Sequence, residues 1–153
     1  MEKLRGFEIA RGWEDKGIHI PERKTKYSAG YDFEAAEDVI IPSFKKGIAP
    51  TLVKTGIKAY MADDEVLMLY NRSSNPKKKG LILSNSVGVI DKDYYENQDN
   101  DGHIMFAFYN IKDEDIVIKK GDATGQAVFQ KYLITDNDNA QGERVGGFGS
   151  TNK

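Results

Sequence analysis

No stretch of this chain keeps the apolar period of a helix for long. What recurs is a short strand-like run closed by a turn residue. The runs KLRGFEIA, EDVIIP, TLVKTGIKAY, DEVLMLYN, HIMFAFYN, DIVIKK and QAVFQKYLI follow one another, with glycines and prolines such as Pro21, Gly30, Pro42, Gly56, Gly80 and Gly121 punctuating them. Over residues 64–71, Val66, Met68 and Tyr70 alternate with Leu67 and Leu69, so both faces are apolar. Residues 103–110 do the same, with Ile104, Phe106 and Phe108 against Met105, Ala107 and Tyr109. Runs apolar on both faces read as buried strands. Many short strands at near-regular spacing predict an all-β sandwich or barrel. One short helix is expected near residues 74–79.

A length of 153 residues suits one domain with a real core. Lys and Arg total 22 against 24 Asp and Glu, a formal charge of −2, which does not suggest a nucleic-acid or membrane binder. Cysteine is absent, so disulfides, thiol nucleophiles and thiolate metal sites are excluded. With His19 and His103 the only histidines, a His-centred network is not expected either. Chemistry must come from carboxylates, tyrosines, amides and backbone N–H groups, with or without a hard metal. The opening MEKLRGFEIARG has no apolar h-region, so no secretory signal and a cytoplasmic location are expected.

Five stretches carry chemical character. SAGYDFEA holds Asp32 between Tyr31 and Phe33, and by itself reads first as a strand start with a solvated Asp. NRSSNPKKKG offers Arg72, whose guanidinium can fork to phosphate oxygens, beside the hydroxyls of Ser73 and Ser74. Its lysines read as a solvated basic turn. LSNSVGVIDKDYYEN is the most informative. VGVI reads as an apolar strand or hairpin arm, and Gly88 lets a ligand approach the backbone. Asp91 and Asp93, two apart in extended chain, would point the same way. A hairpin turn would account for them too; a shape-selective pocket with Asp91 as base, Tyr94 as wall and Asn85 as amide is the alternative. In KKGDATGQAVFQ a Gly-Asp turn leads into a strand where Gln126 is the polar exception. RVGGFGSTNK embeds Phe148 among glycines that let N–H groups converge on an anion, without the spacing of a Walker A loop.

In this order, SAGYD, NRSS, NSVGVIDKDY, GDATGQ and GGFGST resemble the five motifs of the homotrimeric dUTPases, from about residue 28 to residue 151. The resemblance implies a distorted β jelly-roll and a homotrimer with shared active sites. It implies hydrolysis of dUTP to dUMP and pyrophosphate with Mg²⁺, which keeps uracil out of DNA and supplies dUMP for dTMP synthesis. By motif position Asp91 would activate the attacking water, and Tyr94 would pack against deoxyribose and leave no space for a 2′-hydroxyl. Asn85, with backbone groups of Ser86, Gly88, Val89 and Ile90, would read the uracil edge. Arg72, Ser73, Ser74 and Gln126 would bind phosphates, with Asp32 supporting the metal-bound end. Arg144 with Gly147, Phe148, Gly149, Ser150 and Thr151 would close over the substrate from a third subunit, Phe148 stacking on uracil. Residues 1–135 are then the catalytic domain and 136–153 a mobile arm.

The chain departs from the pattern in places. Motif four usually reads Gly-Asp-Arg-Ile-Ala-Gln, and here Ala123, Thr124 and Gly125 stand in the middle. Glu96 or Asn97 replaces a common glycine, with a longer polar loop behind, and one residue fewer separates Arg144 from the glycine pair. A zinc-free dCTP deaminase of the same fold, or a non-catalytic regulatory trimer, are the competing readings.

Overall fold

The structure is a computed structural model that describes residues 2–147. Each strand-like run of the sequence contains a strand. Eleven strands run through the described residues: β1 (Gly6–Ile9), β2 (Tyr31–Glu34), β3 (Val39–Ile41), β4 (Thr51–Lys54), β5 (Ile57–Tyr60), β6 (Glu65–Tyr70), β7 (Leu81–Leu83), β8 (Gly88–Ile90), β9 (Met105–Asn110), β10 (Ile116–Ile118) and β11 (Ala123–Lys131). The single run TLVKTGIKAY divides into β4 and β5 because Gly56 turns the chain at φ +73°, a conformation that favours glycine. The expected helix is a π-helical turn, Asn75–Lys79, opened by Pro76 and closed by Gly80 at φ +65°.

All pairings between these strands are antiparallel. One sheet has the order β2-β11-β6-β8, a second β4-β9-β7, and two ribbons, β1-β5 and β10-β3, complete the wall. The core lies between them: Leu67, Phe106, Phe108, Ile104 and Phe33 are at most 1% exposed. Phe33 meets Phe106 edge-on at 5.6 Å between ring centroids. Gly125, in the altered fourth motif, borders this pair. A Cβ there would fall 2.2 Å from Phe106 Cε1, so the ring occupies the space a side chain would need.

Three expectations need correction. The VGVI segment is the expected apolar strand, β8, but not a hairpin arm, because β7 pairs with β9 and β8 with β6; residues 84–87 cross from one sheet to the other. And β6 is buried on one face only: Leu67 and Leu69 point into the core while Val66, Met68 and Tyr70 are half-buried within the single chain. The end of QAVFQKYLI is likewise not strand. Beyond Lys131, Tyr132 is held by a bond from its N–H to the Asp64 carbonyl, and Leu133 is 96% exposed. Among the described residues no helix is long and apolar enough to cross a membrane.

Candidate active site

The register of the four-stranded sheet fixes where the candidate residues stand. Asp32 on β2 faces Gln126 on β11, which faces Tyr70 on β6, so the first, second and fourth motifs meet at one end of the sheet. Gln126 ties them: its Nε2 donates to the Asn71 carbonyl at 3.1 Å, and its Oε1 lies where a Cβ of Gly30 would be. Asn71 braces the turn that follows, accepting from the Arg72 N–H at 2.9 Å and from Asn75 Nδ2 at 2.7 Å. Arg72 and Ser74 are half-buried and Ser73 is exposed, an array able to meet an anion. Asn75 Oδ1 and Thr124 Oγ1, both buried here, have no hydrogen-bond partner.

The third motif runs away from that end. Ile90 pairs with Leu67 and Gly88 with Leu69, so Asp91 emerges beside the start of β6, whereas Arg72 follows its end. At about 3.3 Å per residue the four residues from Tyr70 back to Val66 separate the two groups by roughly 13 Å. Asn85 and Ser86 lie exposed in the crossover before β8, Ser86 at φ +64°. Val89 is 56% exposed and Ile90 is in the core. Gly88 has a reason other than a ligand: a Cβ there would sit 2.9 Å from Leu69 Cβ and Cδ1, so close packing of β8 on β6 demands glycine.

Asp91 caps a short 3₁₀ turn, Lys92–Tyr94, and its carbonyl accepts from the Tyr94 N–H at 3.1 Å. The turn brings both acids of the Asp-x-Asp to one side, though the backbone is extended only at Asp91 and 3₁₀ from Lys92 onward. Arg144 spans them: Nη2 donates to Asp91 Oδ2 at 2.6 Å and Nε to Asp93 Oδ1 at 2.7 Å. The carboxylates stay half exposed while the Arg144 side chain is 11% exposed. These groups, with Asp63, Lys92 and Tyr132, line a cleft of about 350 Å³. Gly147 lies flat on the Tyr94 ring, where a Cβ would fall 2.5 Å from Cε1. Arg144 and Gly147 therefore cover Asp91 and Tyr94 of their own chain. Phe148, Gly149, Ser150 and Thr151 lie outside the described residues.

Tyr94 is 4% exposed, and burial, opposed by an amide bond from Asn100, pushes its phenol above the ordinary tyrosine value. Behind it His103 is 7% exposed, and burial, helped by the Lys54 charge, lowers its imidazole to about 4. Lys58 bridges Glu96 at 2.7 Å and Asp101 at 3.0 Å and ties this loop to β5. Sequence reasoning gave no role to Asp63, Lys58, Asn97 or Asn100. The density of Asn, Asp and Gly over residues 97–102 was the one available signal, and it marks a built turn without saying what the turn grips.

Compared with known proteins, the chain matches the dUTPase family model over residues 16–152. The chain belongs to the dUTPase family. It is 55% identical to the deoxyuridine 5′-triphosphate nucleotidohydrolase of Lactococcus lactis over 151 residues, covering 97% of this chain and 98% of that one. The enzyme of the same name from Desulfitobacterium hafniense is 33% identical, covering 94% of each chain. The crystal structure of dUTPase from Streptococcus mutans superposes with a TM-score of 0.80 at 46% identity, covering 86% of this chain and 99% of that one. The dUTPase of Staphylococcus aureus phage phi11, with a structural Mg(II) ion, shares the fold at 18% identity and a TM-score of 0.68, covering 92% of this chain and 98% of that one. The all-β class expected from the strand pattern, and the jelly-roll implied by the motif resemblance, are thus those of the dUTPase relatives. Among the described residues no three His, Asp or Glu side chains cluster to hold a metal.

Proposed function

We propose that the protein hydrolyses dUTP to dUMP and pyrophosphate, with Mg²⁺ on the triphosphate, at a site completed by other copies of the chain. One observation carries the reading within the dUTPase family. A partly exposed carboxylate, Asp91, and a fixed phenol ring, Tyr94, stand together on one 3₁₀ turn. Asp91 orients and deprotonates a water, whose oxygen attacks phosphorus; the α–β phosphoanhydride breaks and pyrophosphate leaves. Tyr94 stands against the deoxyribose and leaves no room for a 2′-hydroxyl. Asn85 and backbone groups of Ser86–Ile90 read the uracil edge, where a wrong base strands buried partners at about 1–3 kcal/mol each.

Arg72, Ser73, Ser74 and Gln126 take the phosphates. Mg²⁺ prefers oxygen ligands and keeps several waters, so a chain with no carboxylate cluster among its described residues suits a metal held mainly by substrate. Asp32, half-buried on β2 opposite Gln126, would support it from behind. When bound, the ion supplies charge neutralisation on the triphosphate. The phosphate-binding group and Asp91 lie at opposite ends of one sheet, which favours a site drawing Asp91 from a neighbouring copy. The half-buried face of Val66, Met68 and Val128, with exposed Val89 beside it, supports a homotrimer that covers it. Residues 136–153 act as the closing arm. The protein works in the cytoplasm.

Incubation with each dNTP and Mg²⁺ tests the reading. Pyrophosphate is expected from dUTP alone. Its absence from dUTP rejects the proposal, and ammonia from dCTP would point to the deaminase.

A further inference from the structure

The loop between Tyr94 and β9 closes on the tyrosine that precedes it. Asn97 Nδ2 donates to the Tyr94 carbonyl at 2.7 Å and to Asn100 Oδ1 at 2.8 Å, while Asn97 Oδ1 accepts from the N–H groups of Asp99 and Asn100 at 3.0 and 3.1 Å. Asn100 Oδ1 also accepts from the Gly102 N–H at 3.1 Å. That leaves the Asn100 amide nitrogen to face the ring, and it donates to Tyr94 Oη at 2.8 Å. The same hydroxyl donates to the His103 carbonyl at 2.5 Å. The phenol is therefore pinned from two directions by its own loop.

The frame behind these bonds is stiff. Glu96 and Asp101 hold φ of +54° and +61°, conformations that side-chain-bearing residues rarely adopt. Gly102 packs where a Cβ would lie 2.8 Å from the Tyr94 carbonyl oxygen. The Asp101 carboxylate, 8% exposed, takes Lys58 Nζ at 3.0 Å and the Arg11 N–H at 2.8 Å. The loop cannot shift without breaking buried charged contacts. Within it, Asn100 is the side chain that reaches the end of the ring, so it is the part that converts the loop's rigidity into a position of the phenol.

We infer that Asn100 is a specificity-determining positioning residue, which sets how far the Tyr94 ring stands into the sugar pocket and so how strictly a 2′-hydroxyl nucleotide is refused. This rests on reading Tyr94 as the wall against ribose. Asn100 touches no substrate and acts only through the tyrosine.

The experiment measures kcat and KM for dUTP and UTP in the full-length protein and in Asn100→Ala, Asn100→Ser, Tyr94→Phe and the Tyr94→Phe/Asn100→Ala double variant. Loss of one hydrogen bond predicts that either Asn100 variant lowers the dUTP-to-UTP ratio of kcat/KM by about three- to tenfold. For dUTP the change should fall on KM more than on kcat. In the Tyr94→Phe background, where the hydroxyl is gone, Asn100→Ala should change the ratio by less than about twofold, a coupling that a general loosening of the loop would not give. Serine serves if the alanine variant fails to fold. An unchanged ratio in a folded Asn100 variant, or an equal drop in the Tyr94→Phe background, overturns the inference while leaving dUTP hydrolysis standing. An unmutated protein that releases no pyrophosphate from dUTP removes both.

Discussion

His103 is a buried neutral imidazole, and the pH dependence of stability should reveal it. Its Nε2 accepts from the Gly56 N–H at 2.8 Å, and Trp13 packs on its ring at 5.3 Å between centroids. Burial and the nearby Lys54 charge lower its pKa from 6.5 to about 4. The unfolded chain thus takes up a proton near pH 6.5, whereas the folded chain resists until near 4. Stability from this group is intact above both values, declines as pH falls through that window, and levels off below it. At 1.36 kcal/mol per unit the full loss is about 3 kcal/mol. The comparison is His103→Gln, whose side-chain oxygen can keep the Gly56 contact but does not titrate. Urea unfolding of both proteins at equal concentration, from about pH 7.5 down to about 4.5, reads the difference, and the other titrating groups cancel. The native protein should lose its advantage over His103→Gln as pH falls. A gap that stays constant across the range would refute a neutral, buried imidazole.

Asp91→Asn should lower kcat for dUTP by about 10² to 10⁴ while KM changes little, the signature of losing a general base; steady-state pyrophosphate release decides it, and unchanged kcat would remove Asp91 from that role. Gly125→Ala drives a methyl into the Phe106 ring and should cost about 1–3 kcal/mol, seen as a lower denaturation midpoint; an unchanged midpoint would mean the ring yields freely. Arg144→Ala removes the guanidinium expected to close over the substrate and should raise KM by about tenfold or more; an unaltered KM would leave Arg144 no more than a partner of Asp91 and Asp93.

Much of the fold was written in local pattern. The alternation in EVLMLY and MFAFYN gave β6 and β9 directly, since Leu67, Leu69, Phe106 and Phe108 all face the core. Which strands pair is not legible, so VGVI reads equally as a strand or a hairpin arm, and its partner β6, more than fifteen residues earlier in the chain, shows only in the structure. Nor was the cause of a glycine: Gly88 fits a ligand's approach equally well until Leu69 is seen against it. The acids and tyrosine of the third motif were legible because the chemistry needs them close in sequence. The grip of Asn100 on Tyr94 was not, because a ring closed by φ-positive turns leaves only a turn-rich composition in the sequence. The motif places Arg144 over the substrate, but the contact it makes with Asp91, 53 residues away, depends on where the chain after β11 travels.

The account turns on a site that joins Asp91 of one copy to Arg72 of another, and subunit complementation tests that most directly. Asp91→Asn and Arg72→Ala chains, each inactive alone, are co-expressed and assayed with dUTP. With random assembly in a closed ring, about a quarter of the sites receive both native residues, and activity should return to that fraction. Mixed assemblies no more active than either parent would contradict the account.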